Sequence, residues 1–144
     1  MIIRPAALLV REERLLLMVY RYGDQERYNM PGGKLDEGEE IGACLQREWW
    51  EELGMKIRLG SLALVAETLV EERQVLHLLF HATSEDEPCL NPVETHASSL
   101  LWLPLQKLSE APLYPAVGEA LLDLLVRGVA VPCYQGRVVQ HWLK

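Results

Sequence analysis

Glu48, Glu51 and Glu52 stand at i, i+3 and i+4 within the segment EEIGACLQREWWEELG. On a helix they fall within roughly a 100° arc of one face. Like charges so spaced destabilise an isolated helix by about a few tenths of a kcal/mol per pair. A chain that keeps all three has a reason to neutralise them. Hard carboxylate oxygens favour Mg²⁺ or Mn²⁺, which bind through carboxylates, waters and substrate phosphates. An ExxEE on its own would be read as a solvated acidic face, since helix surfaces are mostly charged. Here the flanking residues argue otherwise. Arg47 precedes Glu48 directly and lies four before Glu51, where its guanidinium can grip a carboxylate bidentately in a supporting role. Pro31-Gly32-Gly33 comes shortly before the helix, and its glycines permit close backbone approaches that other residues forbid. Glu39 suits a helix start, and Gly54 is a natural helix stop.

From Gly33 the chain reads GKLDEGEEIGACLQREWWEELGM. Five residues separate Gly33 from Glu39 and seven separate Glu39 from Arg47; Glu48, apolar Trp49, Glu51, Glu52, Gly54 and apolar Met55 follow. This pattern, residues 33–55, resembles the Nudix box at every defining position. The resemblance implies an α/β fold, a Nudix α/β/α sandwich with a mixed central sheet. It implies hydrolysis of a nucleoside diphosphate linked to another group. Glu51, Glu52 and Glu48 would be the metal-binding catalytic glutamates, assisted by Arg47. The backbone carbonyl of Gly32 is a further ligand candidate, and Lys34 would lie near the reacting phosphate. Gly33, Glu39 and Gly54 would join loop to helix. The implied cofactor is Mg²⁺, with Mn²⁺ as the alternative; such cations bridge substrate oxygens, activate a water and stabilise the leaving phosphate. The base varies within the family between a box glutamate and one in a later loop, and Glu94 is the candidate for the loop version.

Substrate subclass is less legible. The ADP-ribose branch carries a proline shortly after the box, whereas the first one here is Pro88. The diadenosine-polyphosphate branch carries a tyrosine where this chain has Glu71, Glu72 and Arg73. Coenzyme A and NADH signatures are absent, as is the N-terminal extension common in ADP-ribose enzymes. The expected substrate is a small nucleotide of (d)NTP, ADP-ribose or nucleotide-sugar type. The competing function is a Nudix-like nucleotide sensor without turnover, which degraded box carboxylates would have favoured.

Arg21 and Tyr28 are further substrate candidates: one could meet a phosphate, the other could stack on a base. The alternatives are a solvated arginine and a half-buried strand aromatic. His77 and His81 share a strand face but have no third ligand, so they are not read as a metal site. Cys44 reads as a small buried side chain. Trp49 falls on the apolar stripe and Trp50 about 100° off it. Tyr134 and Trp142 could seal a homodimer or close the monomer's own core.

Residues 3–10 and 14–20 read as strands joined by a hairpin at Arg-Glu-Glu. Residues 29–38 read as an ordered loop. Ile41, Leu45, Trp49 and Leu53 recur every fourth residue, which predicts a helix over 39–53. Residues 56–69 and 73–82 read as a strand pair turning at Glu71-Glu72, 83–98 as a long polar loop and 99–103 as a strand. Residues 115–126 read as a second amphipathic helix ending near Gly128, and the tail as a hairpin about Gln135-Gly136. Interleaved strands and helices favour a mixed sheet with helices on its faces, in one domain over 1–144.

The net charge of −7 and the lack of a basic cluster disfavour nucleic acid, whose backbone rewards Lys and Arg. No apolar run approaches the ~20 residues of a membrane span. Three cysteines without tight spacing suggest a reducing compartment, and the expected location is the cytoplasm.

Overall fold

The computed structural model describes residues 1–140. Two apolar runs form β1 (Ile2–Arg11) and β2 (Arg14–Tyr22). Glu12 and Glu13 between them take φ of 51° and 60°, as a two-residue hairpin turn requires. The two strands pair only beside that turn, at Val10–Leu15 and Arg11–Arg14. Beyond it they fork. β1 runs parallel to β5 (Arg73–Thr83), from Ile2 opposite Val75 to Leu9 opposite Ala82. β2 pairs with β3 (Gln25–Asn29) and with β6 (Ser99–Pro104).

The remaining strands extend these two wings. β4 (Arg58–Val70) lies antiparallel to β5, with Glu71 and Glu72 at φ of 49° and 67° between them. β7 (Leu113–Tyr114) adds to β3 and β8 (Tyr134–Arg137) adds to β4, both parallel. The sheet is therefore mixed. Alternation along β1 sends Ala6 and Leu8 to one core layer, Ala7 and Leu9 to the other. The second layer holds Leu45, Trp49 and Leu53 of α1 (Ile41–Leu53); the first holds Leu121 and Leu122 of α2 (Gly118–Leu122). This is the expected α/β/α sandwich with a mixed sheet.

Several elements differ from the sequence reading, the short β7 among them. β3 is a strand not anticipated as an element. The second helix begins at Gly118, after Pro115, and continues through a π-helical turn over Asp123–Arg127 before Gly128 caps it at φ 64°. The tail is not a hairpin: Tyr134–Arg137 joins β4, a partner remote in sequence. No helix among the described residues is long and apolar enough to cross a membrane.

Candidate active site

The fork between β1 and β2 leaves one edge of β1 open, and the 29–40 loop fills it. Ala7 N–H donates to Pro31 O at 3.0 Å, Gly33 N–H to Pro5 O at 3.2 Å and Leu35 N–H to Ile3 O at 2.9 Å. Gly32 sits opposite Ala6 as an antiparallel bridge. In this pattern the N–H and C=O of Gly32 point away from β1 and remain available. A side chain at Gly32 would collide with Pro5 O and the Ala6 backbone, and one at Gly33 with the Glu48 carboxyl. The backbone clash makes glycine a packing requirement at 32, whereas at 33 a side chain would displace the Glu48 carboxyl.

Helix α1 is fixed to the same loop. The Trp49 indole Nε1–H donates to Pro31 O at 2.9 Å, so one carbonyl ties helix, loop and strand. With Leu45, Trp49 and Leu53 buried on one side, the 3.6-residue repeat turns Glu48 and Glu52 toward the loop side. Arg47 organises the acids. Its Nε and Nη2 donate to Glu39 at 2.8 and 3.2 Å, so the bidentate grip falls on Glu39 rather than on Glu48 or Glu51. Its Nη1 is 3.1 Å from both Glu48 and Glu51. Hydrogen bonding from Arg47 holds the Glu39 carboxyl down at about 2, and Glu39 in turn raises the guanidinium's pKa.

One guanidinium does not balance these carboxylates. Burial, then the neighbouring Glu48 charge, push Glu52 up to about 8. Burial also raises Glu48. Arg4 from β1 and the Thr95 hydroxyl act against the Glu52 shift. Thr95 is placed by the 84–98 loop, which is tied to the end of α1 by Cys89 N–H to Leu53 O and Asn91 N–H to Glu52 O, at 2.9 and 2.8 Å. The site is an oxygen-rich, under-neutralised cluster against a glycine loop. Among the described residues no three His, Cys, Asp or Glu side chains close tightly around one point; Arg47 holds Glu48 and Glu51 instead.

The NUDIX domain matches residues 2–124, most of the chain. This chain belongs to the Nudix hydrolase family. It is 43% identical over 68 residues to human diphosphoinositol polyphosphate phosphohydrolase 3-alpha, a stretch covering 44% of this chain. The chain thus spans 40% of that relative's length. Among solved structures it resembles the E. coli ORF135 protein, with TM-score 0.75, 24% identity and coverage of 91% of this chain and 93% of the other. It also resembles a MutT NUDIX hydrolase from Burkholderia pseudomallei, with TM-score 0.71, 26% identity and coverage of 87% and 98%.

Beyond the Nudix box the candidates fare differently. Lys34 lines a cavity of about 510 Å³ beside the loop. Tyr28 does not: it packs against the core layer under α2, while its neighbours Arg27 and Asn29 line the cavity, as strand alternation dictates. Arg21 is likewise absent from the cavity wall; its side chain is 66% exposed and pairs with Glu26 at 3.0 Å. Neither residue lines that cavity. Glu94 is exposed on the 84–98 loop, next to Thr95. Cys44 is buried, and burial raises its thiol to about 12, so it is no nucleophile. His77 is fully buried, 2.9 Å from the Thr68 hydroxyl and edge-on to Tyr114. Trp50 is exposed and stacks with Lys56. Tyr134 is exposed and donates to Glu67, so it closes no core of its own chain; Trp142 lies outside the described residues.

Sequence reasoning missed Arg4, Arg27, Asn29 and Thr95. Arg4 had a signal: a charge inside the apolar run IIRPAALLV. Arg27 and Asn29 flank Tyr28 at period two, which would have offered the opposite face.

Proposed function

We propose that the chain hydrolyses a phosphate–phosphate linkage in a small phosphorylated substrate with the help of a divalent cation. The observation that carries this reading is the carboxylate cluster itself: Glu48 lies against Gly33 of the loop, Glu52 lies beside Glu48, and Arg47 is shared between Glu48 and Glu51. The donor set is all hard oxygen and carries excess negative charge, which fits Mg²⁺ or Mn²⁺. Glu48, Glu51, Glu52 and the Gly32 carbonyl would hold the ion. A cation bound there supplies Lewis-acid polarisation and a water of lowered pKa. Arg47 is a positioning residue: anchored on Glu39, it orients the Glu48 and Glu51 carboxylates. Lys34 brings a positive charge from the loop to the substrate's phosphates. Glu94 would take the proton of the attacking water, on the loop whose Thr95 already meets Glu52.

Family membership and the intact carboxylates favour turnover over silent sensing. The test is hydrolysis of a panel with Mg²⁺ or Mn²⁺, products being separated by charge. The panel holds (d)NTPs, ADP-ribose, nucleotide sugars and dinucleoside polyphosphates. Diphosphoinositol polyphosphate joins it because the human relative's name carries that substrate. Cleavage of one class, abolished by EDTA, is expected. Folded protein that binds the cation yet cleaves nothing would overturn the reading in favour of a sensor.

A further inference from the structure

The 84–98 loop is polar and mostly exposed, yet Thr95 within it is only 8% exposed. A buried hydroxyl has to find partners, and the loop's own hydrogen bonds fix where Thr95 can look for them. Cys89 and Asn91 tie the middle of the loop to the last carbonyls of α1. Ser98 ties its end to β2, donating to Val19 O from N–H at 2.7 Å and from Oγ at 3.1 Å. Between these clamps Asn91 O accepts the N–H groups of Glu94 and Thr95, at 3.1 and 3.2 Å. Thr95 is thus held between α1 and β2.

Three groups meet its hydroxyl. Ala97 N–H donates to the Thr95 oxygen at 3.2 Å, and the Tyr20 hydroxyl of β2 lies 3.3 Å from it. The third is the Glu52 carboxyl. A threonine hydroxyl has one hydrogen and two acceptor sites, and an ionised carboxylate only accepts. With Glu52 ionised, the proton count fixes every direction. Thr95 gives its hydrogen to Glu52, while Tyr20 and Ala97 donate to the Thr95 oxygen. Both acceptor sites are then filled, and the hydroxyl has one orientation left. Tyr20 is itself seated, its ring packed against the core layer under α1. Burial raises its pKa, so it stays protonated and able to donate.

Glu52 needs such a partner more than its neighbours do. Arg47 pairs with Glu39, Glu48 and Glu51. Among the described residues Glu52 has no ion pair; a hydroxyl meets it instead.

We propose that Thr95, oriented by Tyr20, is the positioning residue for Glu52, fixing that carboxylate for the divalent cation as Arg47 fixes Glu48 and Glu51. The inference rests on the cation-assisted reading and extends the site to two residues outside the box. Partners of this kind set the orientation of a ligand, and their loss weakens metal binding without removing a ligand.

The test is Mn²⁺ binding to the full chain, read by electron paramagnetic resonance, with melting temperature in EDTA alongside. Thr95→Val keeps the shape and loses the hydroxyl, so affinity should fall about 10–100-fold. Thr95→Ser keeps the hydroxyl and should stay near the wild-type value. Tyr20→Phe keeps the packed ring but empties one acceptor site of Thr95, and should weaken binding by a smaller, several-fold step. A role in loop packing alone would lower the melting temperature of Thr95→Val and leave its Mn²⁺ affinity unchanged. That result, or Thr95→Ser binding as weakly as Thr95→Val, would overturn the inference. If Thr95→Val does not fold, Tyr20→Phe decides, and wild-type affinity there overturns it. The two readings fail separately. A wild-type chain that binds no Mn²⁺ sinks the cation reading and this inference with it. Equal binding by wild type and Thr95→Val sinks only the positioning.

Discussion

At Glu52 the needs of folding and of chemistry diverge. The side chain is buried beside Glu48 and prefers to be neutral, yet an ion site needs it charged. Glu52→Gln keeps the shape and removes the repulsion. It should therefore leave thermal stability in EDTA equal or higher, while kcat falls roughly 10²-fold or more. Glu51→Gln should act similarly. Wild-type rates in both variants would dismiss the ligand assignment. Glu94→Gln should lower kcat by about 10²–10⁴ if its carboxylate takes the proton. An unchanged kcat would return that role to a box glutamate.

For the elements, the decisive joint is between α1 and the loop on β1. Gly33→Ala places a methyl group against the Glu48 carboxyl, so cation affinity should fall about 10–100-fold. Cation titration monitored by melting temperature would reveal an unaltered midpoint if this is wrong. Trp49→Phe retains the buried ring but loses the bond to Pro31 O. Denaturant unfolding should show a loss of about 1–2 kcal/mol. Helix α1 was legible because its signals are local: Leu45, Trp49 and Leu53 repeat at helical spacing, and Gly54 caps in the left-handed region as a stop should. The acidic face followed from that spacing. β3 was not legible, since QERYN carries almost no apolar alternation and gains its strand character from β2 and β7. The tail looked like a hairpin because Gln135-Gly136 is a turn signal; pairing with distant β4 overrode it. The cavity was illegible for the same reason: Arg4, Arg27 and Arg73 meet only when three separate strands assemble.

The whole molecule's response to pH has two opposed limbs. Burial, reinforced by Arg4, lowers His77 from 6.5 to about 3. Its contribution is present above 6.5 and is lost as pH falls toward 3. Glu52 is raised from 4.5 to about 8, so its contribution is present below 4.5 and is lost as pH rises through 8. For these two groups, stability in EDTA should be flat between 4.5 and 6.5 and should decline on either side. Saturating Mg²⁺ should lift the alkaline limb by binding only the folded, ionised site. Urea titrations across this range, with and without Mg²⁺, would show identical curves if no cation binds. The pairing of β1 with β5 reaches further still. Ile2 finds its partner at Val75, and the box loop hangs on the other edge of β1. On the ribosome, residues 33–55 are all present long before their support is, because that edge cannot be held until β5 has emerged. A nascent chain ending after the box would carry Glu48, Glu51 and Glu52 without the strand that supports their loop. Activity should switch on with chain length, well after the motif itself is complete.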